Sequence, residues 1–287
     1  MAGGLARIAG VAQALRNEGK NVVLLDSGGL FPTDKKQVPI RLKKTLELAI
    51  DAMNAAQYDV MNLGPTELTL GSSFFRQTFQ NASFPVVASN AGLKEGTEPL
   101  GKPYAILQCD EITVGVIGIM PANTFALIKP TIKVDDIKIV DPEAAVAQLL
   151  PEVRRQAQAV ILLSQCNDFL TRRILMEAPG IDLAIRGNSG SRITTAKTSS
   201  CESTGVTVSR GEGATLTIPV YTASSRGAEL GSVIVNIDDQ GAVTVRGGRV
   251  IKIDDSVKPD LRVTAILGND IAQTLKNRAA RPRVGQK

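Results

Sequence analysis

The chain has 287 residues, 43% apolar and 21% charged, with a formal net charge of +5 and no histidine or tryptophan. That length suits one large domain or two ordinary ones with a real core, and the composition is that of a globular chain, not a disordered one. The lack of histidine excludes Ser-His-Asp and Cys-His catalysis, imidazole acid–base chemistry and every histidine-containing metal site. Aspartate, glutamate, cysteine and lysine chemistry passes that filter. Four cations and no acid stand in the last ten residues, which reads as a frayed basic tail. Aromatics are only 3% and do not interleave with basic residues, so no nucleic acid partner is expected. Cys109, Cys166 and Cys201 are too few for a disulfide framework or a zinc knuckle; one disulfide with a spare thiol stays open. No run reaches the roughly 18 apolar residues of a membrane span.

The first two-thirds alternates helical and extended patterns. Residues 4–18 place Leu5, Ile8, Ala12 and Leu15 on one helical face, and Gly19 ends that helix. Residues 21–26 are an apolar run too short for a helix and read as a buried strand. Leu42, Leu46, Ile50 and Met53 mark a second helix, 58–63 a strand and 85–89 another after a polar segment. Residues 104–120 read as a hairpin. A helix over 142–157 is expected to kink or restart at Pro151. A strand over 159–164, a helix over 168–177 and a strand over 181–185 follow. From about 204 only strands are expected (206–209, 215–222, 232–238, 243–253), then a closing helix from Asp260 to about Asn277. The Gly-, Ser- and Thr-rich stretch 187–214 is the expected long loop. Alternating βα units imply a mostly parallel sheet, and the later strands a second sheet packed on it.

Four apolar strands end in short Gly-rich or polar turns: Asp26 to Gly29, Gly64 to Glu67, Ser164 to Asn167, and Arg186 to Gly190. Ligands of parallel sheets bind at such carboxyl ends, where loops converge. Ordinary strand-to-helix turns favour the same residues, so the shared rim is the sharper of two readings.

In the order and spacing of these blocks the chain resembles the N-terminal domain of the 5'-nucleotidase-type enzymes of the calcineurin-like metallophosphoesterase superfamily. Gly3 to Arg7 with the helix and Leu-Leu-Asp26 strand after it is similar to the family's first block. Leu63-Gly64 through Gly71 stands where the family has its Gly-Asn-His-Glu segment, and Phe84 to Asn90 and Val114 to Gly118 match the next strands. Pro179 to Asp182 leads into the turn that usually reads Gly-His-x-His. Residues 223–231 resemble the segment before the last strand pair. The resemblance implies a four-layer α/β/β/α sandwich of two mixed sheets over residues 3–256, with 257–287 as a linker helix and basic tail. It also implies that the family's opening strand, with its Asp-x-His motif, is missing from the sheet.

The family's dinuclear metal centre needs carboxylate and imidazole donors. Carried over position by position, its bridging aspartate falls on Gly29, its asparagine on Pro65 and its histidines on Thr66, Gln165, Asn188 and Gly190. Asp26 and Glu67 are the carboxylates that remain in these turns. The resemblance therefore implies a non-catalytic domain with a vestigial rim, no catalytic residue, no cofactor and no tightly bound metal, acting as a structural, binding or assembly module outside the cytoplasm. The vacant sheet position makes a protein partner or self-assembly the expected contact. The alternative is a phosphoester hydrolase of the 5'-nucleotidase type whose site is unrecognised or completed upstream. A third reading is a thiol redox module at Cys166, near a helix start and open to a disulfide with Cys201. Arg186 and Arg226 are candidate anion contacts at the same rim.

Overall fold

The computed structural model describes residues 4–31, 39–95, 99–128, 134–187, 204–209, 215–222 and 227–268. In chain order these form α1 (Leu5–Asn17), β1 (Leu25–Asp26), α2 (Pro39–Ala55), β2 (Val60–Asn62), a 3-10 turn (Pro65–Leu68), α3 (Gly71–Phe79), β3 (Val86–Val87), β4 (Ala91–Leu93), β5 (Ala105–Cys109), β6 (Ile112–Ile119) and α4 (Thr124–Ile128). They continue with β7 (Ile137–Ile139), α5 (Pro142–Gln156), β8 (Ala159–Ser164), α6 (Asp168–Glu177), β9 (Leu183–Arg186), β10 (Thr204–Ser209), β11 (Thr215–Thr222), β12 (Glu229–Ile237) and β13 (Val243–Lys252). A last helix, α7, covers 261–268.

Strand alternation sorts the apolar side chains into three layers of core. On β8, Val160 and Leu162 pack with α5 and α6 residues such as Val153, Ile174 and Leu175. Ile161 and Leu163, which alternate with them in sequence, face the opposite way and join Val60, Val87, Val116 and Tyr221. On β2, Val60 belongs to that middle core, whereas Met61 joins Ile8, Ile50, Met53 and Phe75 of the first three helices. Because successive strand residues point to opposite faces, one middle core and two outer ones require two stacked sheets covered by helices on both sides. The fold is the four-layer α/β/β/α sandwich.

One sheet is parallel, in the order β1-β2-β3. The other runs β10-β11-β9-β8-β6-β5, with β6, β8, β9 and β11 mutually parallel and antiparallel strands at its two ends. Its register sets Ile119, Ser164, Arg186 and Thr222 in one row at the carboxyl ends. Two further pairs, β12-β13 and β4-β7, are antiparallel ladders. Helix α7 docks onto α1: the Asp260 N–H donates to Ala6 O at 2.8 Å, and Val263 is buried in the helix-side core.

Several elements differ from the sequence reading. The run 21–26 contributes only Leu25 and Asp26 to a ladder, because Leu24 is bonded to Asp59 through both its N–H and its carbonyl. Helix α5 is one element through Pro151, whose ring lies on the exposed side. The stretch 64–84 is not a plain polar connection; it forms the 3-10 turn and α3, which bury Leu68, Phe75 and Phe79. Most of the expected long loop, and the closing helix beyond 268, lie outside the described residues.

Gly118 on β6 faces the parallel sheet, and a Cβ there would overlap Asn62 Oδ1 and stand 2.5 Å from Val87 Cγ2. Gly118→Ala is expected to lower stability by about 1–3 kcal/mol through this overpacking, read as a lower denaturant midpoint with an unchanged slope.

Candidate active-site rim

The rim is built where the two sheets end side by side, and three buried side chains sew it together. The turn after β1 carries Gly28 and Gly29 at φ 88° and 90°, and a Cβ on Gly28 would stand 2.6 Å from Asn62 O. Only glycine suits both demands. Asp26 Oδ1 accepts the Gly28 N–H at 2.8 Å and closes this turn.

Glu67, fully buried in the 3-10 turn, binds that loop from the side. Its Oε2 accepts the N–H groups of Gly64 (2.9 Å) and Gly29 (3.1 Å), and its Oε1 accepts Phe31 N–H (3.0 Å) and the Thr66 hydroxyl (3.2 Å). Pro65 opens the turn at a position where a missing N–H costs nothing. Asn62, also fully buried, donates Nδ2 to Ser27 O (3.3 Å) and to Ile119 O (3.2 Å) of the other sheet. Gln165 makes the third bridge. Its Nε2 donates to Ser27 O (2.6 Å) and Gly28 O (2.9 Å), while its own N–H donates to Ile119 O. Gly187, after β9, leaves room for this amide; a Cβ there would overlap Gln165 Nε2 and stand 3.0 Å from Ser27 Oγ.

Both carboxyls of the rim titrate above the ordinary range. Burial is the main cause for Asp26, partly offset by the Gly28 N–H. Burial also dominates for Glu67, with the Phe31 and Gly29 N–H groups pulling back and the Asp26 charge pushing further up. Among the described residues no group of three His, Cys, Asp or Glu side chains is arranged to hold a metal ion. The oxygens of Glu67 are already engaged by N–H and O–H donors. These donors do not fit a dinuclear metal centre, which calls for several anionic or imidazole ligands around two cations.

The structure brings Asp26, Gly29, Pro65, Thr66, Glu67 and Gln165 together as one rim. Asn188, Gly190, Arg226 and Cys201 lie outside the described residues. Arg186 donates to Thr222 Oγ1 (3.2 Å) and its Nε stands 3.9 Å from Asp168 Oδ1. The redox reading of Cys166 is corrected: the side chain is fully buried in the core between β8 and α6, and burial pushes its thiol up to about 12. A thiol with so little thiolate is a poor nucleophile. Sequence reasoning missed Asn62 and Ser27. The available signal for Asn62 was a polar residue inside an otherwise apolar strand run.

No family model matches the chain. Curated relatives do. The 5'-nucleotidases of Rattus norvegicus and Homo sapiens are each 26% identical over 277 residues, covering 92% of this chain and 46% of theirs. A 2',3'-cyclic-nucleotide 2'-phosphodiesterase/3'-nucleotidase of Haemophilus influenzae is 28% identical over 173 residues, 55% of this chain and 26% of the relative. Among solved structures, a 5'-nucleotidase precursor from Thermus thermophilus superposes with a TM-score of 0.80 at 21% identity, over 98% of this chain and 55% of that one. The calcineurin-like phosphoesterase YfkN from Bacillus subtilis gives 0.71 at 23% identity, over 96% and 90%. The chain is a relative of the 5'-nucleotidases and has the calcineurin-like phosphoesterase fold. It spans a little under half the length of the mammalian nucleotidases it matches. No described helix is long and apolar enough to cross a membrane.

Gln165→Leu removes both amide bonds from the Ser27 and Gly28 carbonyls, and an expected loss of about 1–3 kcal/mol is read by chemical denaturation. The raised carboxyls give a signed pH dependence. A folded state that holds its protons more tightly than the unfolded chain is favoured at low pH, and that contribution is lost as pH rises through the raised values. The Asp26 and Glu67 contribution to unfolding free energy is therefore expected to fall as pH rises from the ordinary carboxyl range through the raised values. Asp26→Asn should flatten the measured slope, and an unchanged slope would contradict this reading.

Proposed function

We propose that this chain is a phosphoesterase unit of the 5'-nucleotidase type, acting on nucleotide phosphoesters at the rim between Gly29, Glu67, Gln165 and Arg186. The observation that carries the reading is likeness to 5'-nucleotidases along 92% of the chain, supported by the fold of a 5'-nucleotidase precursor. That these relatives are enzymes speaks for hydrolysis more than for the non-catalytic module expected from the sequence. Since the described rim residues do not supply a metal ligand set, hydrolysis under this reading draws on groups beyond them.

A second reading, a domain that binds without cleaving, is favoured by one observation. Gln165 spends its amide on the Ser27 and Gly28 carbonyls, so the turns it joins are held by the protein's own neutral hydrogen bonds. Location outside the cytoplasm belongs to the same proposal; a relative described as a precursor and one from Naja atra venom support it. Assembly is proposed through β1, which has β2 as its only described ladder neighbour.

The test incubates the purified chain with adenosine 5'-monophosphate, with divalent cations or with chelator, and follows both phosphate release and equilibrium binding. Phosphate release above the protein-free blank is the expected result. Binding without release establishes the second reading instead, and the absence of both overturns the nucleotide assignment.

A further inference from the structure

Along α1 and into its C-cap, Gly10, Val11, Ala14, Leu15 and Glu18 share one face that runs for about 12 Å. That face is not closed over. With Arg249 and Ile251 of β13 and the turn at Val257 and Lys258 it lines a cavity of about 270 Å³ that opens to solvent. No residue of the rim takes part in it. At Gly10 the helix meets this turn backbone to backbone: a Cβ there would overlap Lys258 O, and the Asp260 N–H bond to Ala6 O holds the turn against α1. The volume lies just below the roughly 300–1,000 Å³ of drug-sized ligand pockets, which suits a small molecule.

The floor of the cavity is apolar. Val11 and Ile251 pack against the helix-side core from below, and both, like Leu15 and Val257, keep part of their surface in solvent. Its charges do not balance. Glu18 is the one acid that lines it, and Lys20 already binds that carboxylate at 2.6 Å. Lys20 holds the Glu18 carboxyl below the ordinary range, and Arg249 adds to the pull. Lys258, at the Gly10 end, has no ion-pair partner among the described residues; Asp255 and Asp260, beside it in sequence, pair with Arg7 and Arg262. An apolar floor under surplus positive charge suits an occupant of the opposite make-up. The chain's own last ten residues, with four cations and no acid, do not have it. A second copy seated face to face would set these cations against their own kind.

We propose that this cavity binds a small amphipathic anion, with an aliphatic chain lying along α1 and a carboxylate or similar head at Lys258. The head takes the end of the cavity away from Glu18, and the chain removes the open surface of Leu15 and Ile251 from water. The site is separate from the rim and does not depend on nucleotide hydrolysis there.

The experiment is calorimetry on the full chain with octanoate, hexanoate and octylammonium, each below the concentration at which it self-associates. Octanoate is expected to bind about tenfold more tightly than hexanoate, because each buried methylene is worth about fourfold. It should also bind about tenfold more tightly than octylammonium, whose head carries the wrong sign. Lys258→Glu should weaken octanoate binding about tenfold and Lys258→Arg should retain it, while Ala14→Trp, which fills the cavity from the helix side, should abolish it. Lys258 and Ala14 are both exposed, so the variants should share the melting temperature of the wild type. Equal affinity for octanoate and octylammonium, or octanoate binding that Lys258→Glu leaves unchanged, overturns the anion site. So does the absence of octanoate binding to the wild type at millimolar concentration.

Discussion

A carboxylate without solvent exposure, Glu67, holds three backbone N–H groups from two different turns, and the rim depends on that one arrangement. An ionised carboxylate buried without a cation beside it is costly, and the N–H bonds to Glu67 offset that cost only in part, since burial still raises its carboxyl above the ordinary range. Gly29 and Phe31 lie on the loop after β1, and Gly64 precedes the 3-10 turn. The same interaction that makes Glu67 tolerable in the interior therefore fixes the positions of two strand ends. Asp26, close enough to raise the Glu67 carboxyl further, is the second charge this part of the interior has to accommodate.

The two sheets meet through apolar packing along most of their length and through amides at one end. Val60, Val87, Val116 and Leu163 fill the middle core, whereas Asn62 and Gln165 stand where it opens to the rim. Each amide crosses from one sheet to the other, Asn62 to Ile119 and Gln165 to Ser27 and Gly28. Gly118 and Gly187 leave the space these amides need. Shape and hydrogen bonding are thus solved together: two residues without side chains face two that must reach across.

That construction bears directly on function. The fold is shared with phosphoesterases, and the relatives are nucleotidases, which is what supports the nucleotide phosphoester chemistry proposed for the rim. The described rim side chains Glu67, Asn62 and Gln165 nevertheless spend most of their polar atoms on backbone groups of the neighbouring turns and strands, with Asn62 Oδ1 left without a hydrogen-bond partner. A scaffold of this kind offers preset turns and, among the described residues, a single rim guanidinium, Arg186. Where the relatives' likeness argues for turnover, the local bonding argues for a site that needs no ion to hold its shape.

Much of the fold was legible because it depends on local patterns. The 3.6-residue periodicity of α1, the uninterrupted apolar runs of β6 and β8, the Asn167 cap before α6 and the polar turns at strand ends are properties of short windows, whereas the expectation that Asp26, Gly29, Glu67 and Gln165 share one rim came from the rule for parallel strand ends and the family resemblance. The sequence by itself therefore determined most of the helices and strands and the absence of imidazole chemistry; which strands share a sheet did not follow, since β10 and β11 extend the β8-β9 sheet instead of forming a second one with β12 and β13. Only the tertiary structure decided what the rim residues do. Gln165 and Ser27 are 138 positions apart, and no spacing rule links a residue to a carbonyl so distant. Likewise Cys166 was a candidate thiolate until packing placed its sulfur in the core. Hydrogen bonding and burial are pairwise properties in space, and the chain acquires them only when its two sheets close on each other.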